Sequence, residues 1–140
     1  MVDNNSDPAT TIELPPNRQA VRVALDLLEQ FLVRQSVGGE TREKLAIIVE
    51  ELVANSVEHG ALPTHEPITL SLERHDSTIM LHLTDGGIAF DPTVAVAPDP
   101  NPPERGGGAG LALVQRWATG LRYQRAGGRN MLAVSLRLEP

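Results

Sequence analysis

Apolar residues recur along this chain with two different periods. From about residue 18 to 34, Val21, Ala24, Leu25, Leu28, Phe31 and Leu32 fall at helical spacing and predict a first helix. Pro16 just upstream suits its start, and Gly38-Gly39 is expected to end the unit. A second helix is predicted over residues 41–59, closing at Gly60, with Leu45, Ile48, Val49, Leu52 and Val53 as its core stripe. The period then drops to two. Residues 68–73 and 78–84 alternate apolar and polar and predict two strands, with a turn near His75-Asp76-Ser77. A short helix at 110–118 precedes two more strands, 121–125 and 130–138, joined by a turn containing Gly127-Gly128.

The remaining segments punctuate this pattern. Residues 1–10 read as a flexible tail, and 11–14 as a short edge strand stopped by Pro15-Pro16. The stretch 92–109 holds Pro92, Pro98, Pro100, Pro102 and Pro103, then Gly106-Gly107-Gly108, and predicts a long irregular loop. Loops of that length in a compact domain are usually functional, often lids. The order is strand, helix, helix, two strands, lid, helix, two strands. It predicts a single domain over residues 11–140 with an α+β fold: a two-layer sandwich of one mostly antiparallel sheet with helices on one face.

Composition removes several function classes. The chain has 140 residues, enough to bury a sizeable core. Its net charge of −6 argues against nucleic acid or an anionic membrane as the main partner. Lys44 is the only lysine, and no Gly-x-x-x-x-Gly-Lys run exists, so a Walker-type phosphate loop is not expected. The absence of Cys removes disulfides, thiol catalysis and zinc–thiolate sites. The acidic, polar start is not a signal peptide and no apolar run reaches transmembrane length, so a cytoplasmic protein is expected.

The second helix carries polar residues that its core stripe does not explain. Glu51 and Asn55 lie one turn apart on one face, with either Glu58 or His59 continuing it, while Glu50 points about 100° away. A carboxylate and a carboxamide so spaced offer hard oxygen donors for Mg²⁺ and a proton acceptor beside it. A solvated helix face is the competing explanation. Downstream, Asp85-Gly86-Gly87 ends a strand, where a carboxylate can accept from a ligand that approaches the backbone closely; it also reads as a simple turn. Arg105-Gly106-Gly107-Gly108-Ala109-Gly110-Leu111 is a glycine-rich loop entering a helix, where backbone N–H groups can cradle phosphate. His59 suits a helix C-terminus as a cation; His65, His75 and His82 lack metal-ligand spacing, and Trp117 reads as core or partner-facing.

Three of these pieces in this order, Glu51-x-x-x-Asn55-x-x-x-His59-Gly60, Asp85-x-Gly87-x-x-Phe90-Asp91-Pro92 and Gly107-Gly108-x-Gly110-Leu111-x-Leu113, resemble the GHKL (Bergerat) ATP-binding fold. Within it the chain resembles the small serine-protein kinases that act as anti-sigma factors in bacterial partner switching, over about residues 12–138. The resemblance implies ATP and Mg²⁺ as cofactors. It implies Asn55 as the Mg²⁺ ligand and Glu51 as general base for a substrate serine. Asp85 would accept from the adenine amine, and Gly87 would let the base approach. Gly107, Gly108, Gly110 and Leu111 would form the phosphate-binding helix start, and Arg105 in the lid would reach the terminal phosphate. The implied partners are a STAS-type anti-sigma-factor antagonist, a sigma factor, and a second copy of the chain through the first helix. Two departures stand out: Ala89 replaces a usual glycine, and Ala133 replaces a Thr that supports adenine through water in many relatives.

Two further classes remain open on these residues. One is a non-catalytic module that binds nucleotide, or none, and sequesters a partner; Glu51 argues against it and Ala133 for it. The other is the catalytic part of a histidine kinase, which needs a phosphoacceptor His on a helix pair that this sequence does not carry.

Overall fold

In the computed structural model, residues 9–63, 65–93 and 107–138 are described. The elements are β1 (Thr10–Leu14), α1 (Gln19–Arg34), α2 (Gly39–His59), β2 (Ile68–His75), β3 (Thr78–Asp85), α3 (Gly107–Trp117), β4 (Gly120–Ala126) and β5 (Arg129–Arg137). The strands form one sheet in the order β1-β2-β3-β5-β4, and every neighbouring pair is antiparallel. The expected α+β sandwich is present, with an entirely antiparallel sheet. Most of the expected tail and lid, residues 1–8 and 94–106, lies outside the described residues, and Arg105 with it.

Alternation builds the core. Ile68, Leu70 and Leu72 of β2, Ile79, Leu81 and Leu83 of β3, and Leu132, Val134 and Leu136 of β5 all turn to one face and are buried. Against them α1 lays Ala20, Ala24, Leu27, Leu28, Phe31 and Leu32, and α2 lays Leu45, Ile48, Val49, Leu52 and Val53. Each fully buried large aliphatic side chain contributes roughly 1.5–3 kcal/mol relative to exposure. Burial of that size outweighs the exposed Glu29–Arg42 ion pair between the helices, which is worth at most about 1 kcal/mol.

The first inter-helix boundary differs from expectation. α1 ends at Arg34, and Ser36 just beyond its cap takes a left-handed φ of 56° while the Val37 N–H donates to the Leu32 carbonyl at 2.9 Å. Gly38 and Gly39 instead open α2, Gly38 as its N-cap and Gly39 as its first residue at φ 62°. The hydrogen bond back to Leu32 closes the first helix without glycine. The β4–β5 hairpin does use its glycines, since Gly127 and Gly128 have φ of 59° and 76°, the mirror-image turn that matches strand twist.

Leu81 sits at the middle of the central strand at 1% exposure. Leu81→Ala is expected to lower unfolding stability by about 2–5 kcal/mol in urea denaturation, whereas Met131→Ala, on the open face, should cost under about 1 kcal/mol. Equal losses would mean the two faces are not divided as described.

Candidate functional site

The alternation that fills the core also places the site. Asp85 continues the inward series Ile79, Leu81, Leu83, and Asn130 heads the inward series Leu132, Val134, Leu136. The two are directly paired across β3 and β5. At this end of the sheet the apolar layer stops and a buried carboxylate faces a buried carboxamide, 7% and 8% exposed. Above them runs the last two turns of α2. Between lies a cleft of about 510 Å³, its open mouth included, lined by Leu52, Asn55, Ser56, His59, Asp85, Ile88, Tyr123 and Asn130 among others.

A buried carboxylate needs donors, and Asp85 has three. Its Oδ1 accepts from the Gly87 N–H at 2.9 Å and from Asn130 Nδ2 at 2.9 Å. Its Oδ2 accepts from the Ser56 hydroxyl at 2.8 Å. Asn130 is itself saturated. Its Nδ2 also donates to the Ile88 carbonyl at 2.8 Å, and its Oδ1 accepts from the Tyr123 hydroxyl at 2.5 Å and Arg125 Nη1 at 2.9 Å. Arg125 Nη1 further donates to the Gly87 carbonyl at 3.0 Å. A carboxylate has about four acceptor positions. Three are used, so one remains, on Oδ2.

The glycines have distinct reasons. A Cβ on Gly87 would collide with the Gly60 carbonyl at the end of α2, where Ile88 N–H donates at 2.8 Å. Protein packing alone therefore requires glycine at 87. A Cβ on Gly110 would meet only the tip of the Glu51 side chain, which places that carboxylate against the first turn of α3. The expected glycine-rich loop is in fact helix from Gly107, so Gly107, Gly108 and Gly110 are first-turn residues of α3, and Leu111 is buried beneath them at 3% exposure. A helix start leaves its leading N–H groups without intrahelical partners, whether or not glycines occupy it.

Thus Asn55 and Asp85 share one cleft, and Glu51 meets the start of α3. His59, not Glu58, continues this face into the cleft, and Glu50 is exposed. Ala133 is a correction. It pairs with His82 and Arg122 on the sheet face away from the helices, because it is out of phase with Asn130 and Leu132. A Thr there would not reach the cleft. Ala89 is exposed. Sequence reasoning missed Ser56, Tyr123, Arg125 and the role of Asn130. Asn130 carried a signal, a polar residue in the inward phase of a strand; Ser56 carried none. His75 and His82 both lie 3.4 Å from the Glu73 carboxylate on the open face, and among the described residues no cluster could hold a metal through His, Cys, Asp and Glu. Trp117 is half-buried beneath Lys44, whose Nζ is 5.8 Å from the ring centre. No described helix is long and apolar enough to cross a membrane.

Comparison with known proteins agrees with this fold. Residues 14–136 match the family described as histidine kinase-like ATPase domain. The chain is 32% identical to the serine/threonine-protein kinase BtrW of Bordetella bronchiseptica, covering 96% of this chain and 98% of that protein. Among solved structures it is similar to the RsbU and RsbW domains of Rv1364c from Mycobacterium tuberculosis, with TM-score 0.71 and 19% identity, covering 96% of this chain and 34% of that one. It is also similar to the histidine kinase AdeS of Acinetobacter baumannii, with TM-score 0.51 and 16% identity, covering 94% of this chain and 68% of that one. At these identities the structures establish the fold.

The two glycines after Asp85 separate packing from turn propensity. Gly87→Ala meets backbone, whereas Gly86→Ala meets only the tip of the exposed Glu66 side chain. Gly87→Ala is expected to cost about 1–3 kcal/mol in urea denaturation and Gly86→Ala under about 1 kcal/mol. The reverse ranking would contradict the packing of this turn on Gly60.

Proposed function

We propose that this chain, which belongs to the histidine kinase-like ATPase family, is a Mg·ATP-dependent protein-serine kinase that acts as an anti-sigma regulatory factor. Its substrate would be a serine on a STAS-type antagonist protein, with a sigma factor as the competing partner. ATP would favour one partner and ADP the other, a switch by differential affinity. Support comes from the likeness to BtrW, a serine/threonine-protein kinase matched almost end to end. Residues 11–140 would act as one nucleotide-binding unit, working as a homodimer in the cytoplasm.

The observation that carries the reading is the contact of the Glu51 carboxylate with the first turn of α3 at Gly110. It brings an acid-base group to the N–H groups that suit a terminal phosphate. Four residues along α2, Asn55 faces the cleft, and no described residue hydrogen-bonds its carboxamide. Its oxygen fits a hard cation. Mg²⁺ bound there would screen phosphate charge. Asp85 would accept from the adenine amine through the open position on Oδ2. Glu51 would take the proton of the attacking serine, and the α3 amides at Gly107, Gly108 and Gly110 would bind phosphate oxygens. Arg105 would add a charge-assisted bond to the terminal phosphate. Sequestration without nucleotide loses its one sequence argument, since Ala133 faces away from the cleft.

Glu51→Gln is expected to keep Mg·ATP binding within about threefold and to lower phosphoryl transfer at least about 100-fold. Asn55→Ala should remove the Mg²⁺ dependence of binding. Calorimetry and transfer of labelled phosphate to an antagonist protein check both. Wild-type transfer by Glu51→Gln would sink the base assignment, and no Mg·ATP binding by the wild type would sink the kinase reading.

A further inference from the structure

The donors that surround the Asp85 carboxylate on Ser56, Gly87, Asn130 and Tyr123 are committed. Ser56 has one hydroxyl proton, and it points to Asp85 Oδ2 at 2.8 Å. The Gly87 N–H and one Asn130 amide hydrogen go to Asp85 Oδ1, and the other Asn130 hydrogen goes to the Ile88 carbonyl. The Tyr123 hydroxyl donates to Asn130 Oδ1. What Ser56 and Asp85 present to the cleft they line is therefore lone pairs only, on Ser56 Oγ and Asp85 Oδ2, side by side.

We infer that Ser56 is a specificity-determining residue. By donating its only proton to Asp85, it makes the Ser56–Asp85 edge of the cleft acceptor-only and selects a purine with an exocyclic amine over one with a carbonyl at that position. An amine offers two hydrogens, one for each acceptor. A carbonyl oxygen would meet two acceptors and stay unpaired, which is the costly outcome for a buried polar group. The arrangement also holds Oδ2 in place, because α2 grips one carboxylate oxygen while β5 and the turn grip the other. Ser56 acts on the base through its own oxygen and through the position of Asp85. This inference rests on the adenine-binding reading above.

The test is calorimetry of Mg·ATP and of Mg·ITP, which carries a carbonyl in place of the amine, into wild type, Ser56→Ala and Ser56→Thr. Wild type should prefer ATP by about 100-fold, and Ser56→Ala should lose about tenfold of that preference, mostly through weaker ATP binding. Ser56→Thr, which keeps the hydroxyl, should recover most of the preference. If Ser56 were only a tie between helix and strand, Ser56→Ala would lower the urea midpoint and weaken both nucleotides alike. An unchanged ATP-to-ITP ratio in Ser56→Ala would overturn the inference while leaving the kinase reading intact. Failure of the wild type to bind ATP would overturn both.

Discussion

A carboxylate held at the end of an apolar layer governs this architecture. Asp85 occupies a position that alternation assigns to the core, and burying an unpaired carboxylate costs several kcal/mol. Its compensation comes from three separate places: Ser56 on α2, Gly87 in the following turn and Asn130 on β5. None can shift without stranding a buried charge. The carboxylate thus sets the register of α2 over the sheet, the path of the turn beneath Gly60, and the alignment of β5 with β3. Tyr123 and Arg125 extend the same network to β4.

Once α2 is in register, the rest of the cleft is placed by helix geometry. Glu51 and Ser56 are five residues apart, about 7.5 Å along the axis at 1.5 Å per residue. One end of that span touches the Asp85 carboxylate and the other touches the start of α3. Asn55 lies between them on the helix and lines the same cleft as Ser56 and Asp85. The Glu51 carboxylate lies against Gly110, and the glycine at 87 is what lets the turn pack on α2. Glycine at 87 is a demand of close approach between elements, since it is not among the glycines with left-handed φ.

The network leaves acceptors facing the cleft and turns donors inward. Such a network is worth most when every member is satisfied, and among the described residues no buried side-chain polar atom lacks a partner. The open face of the sheet, with Glu73, His75, His82 and Met131, shows none of this closure and carries looser, exposed pairs.

The sequence by itself determined the elements, because helix and strand periods are local properties of consecutive residues. The buried stripes of α2, β2 and β3 stand where the apolar spacing put them, whereas α1 buries Ala20 and Leu27 and leaves the expected Val21 and Leu25 only partly covered. Sequence also singled out Glu51, Asn55, Asp85 and the glycines, through spacing and family pattern. It misjudged where one helix ended and the next began, since α1 is closed by a hydrogen bond from the Val37 N–H to the Leu32 carbonyl that no single-residue preference announces. It took Ala133 for a cleft residue, although strand phase, set by the pairing of Asp85 with Asn130, turns it to the opposite face. Ser56 looked like an ordinary polar residue in a helix. Only the tertiary structure gave it and Asn130 their roles, because the carboxylate they bind lies 29 and 45 residues away in the chain. Contacts at that separation are decided by how the layers pack.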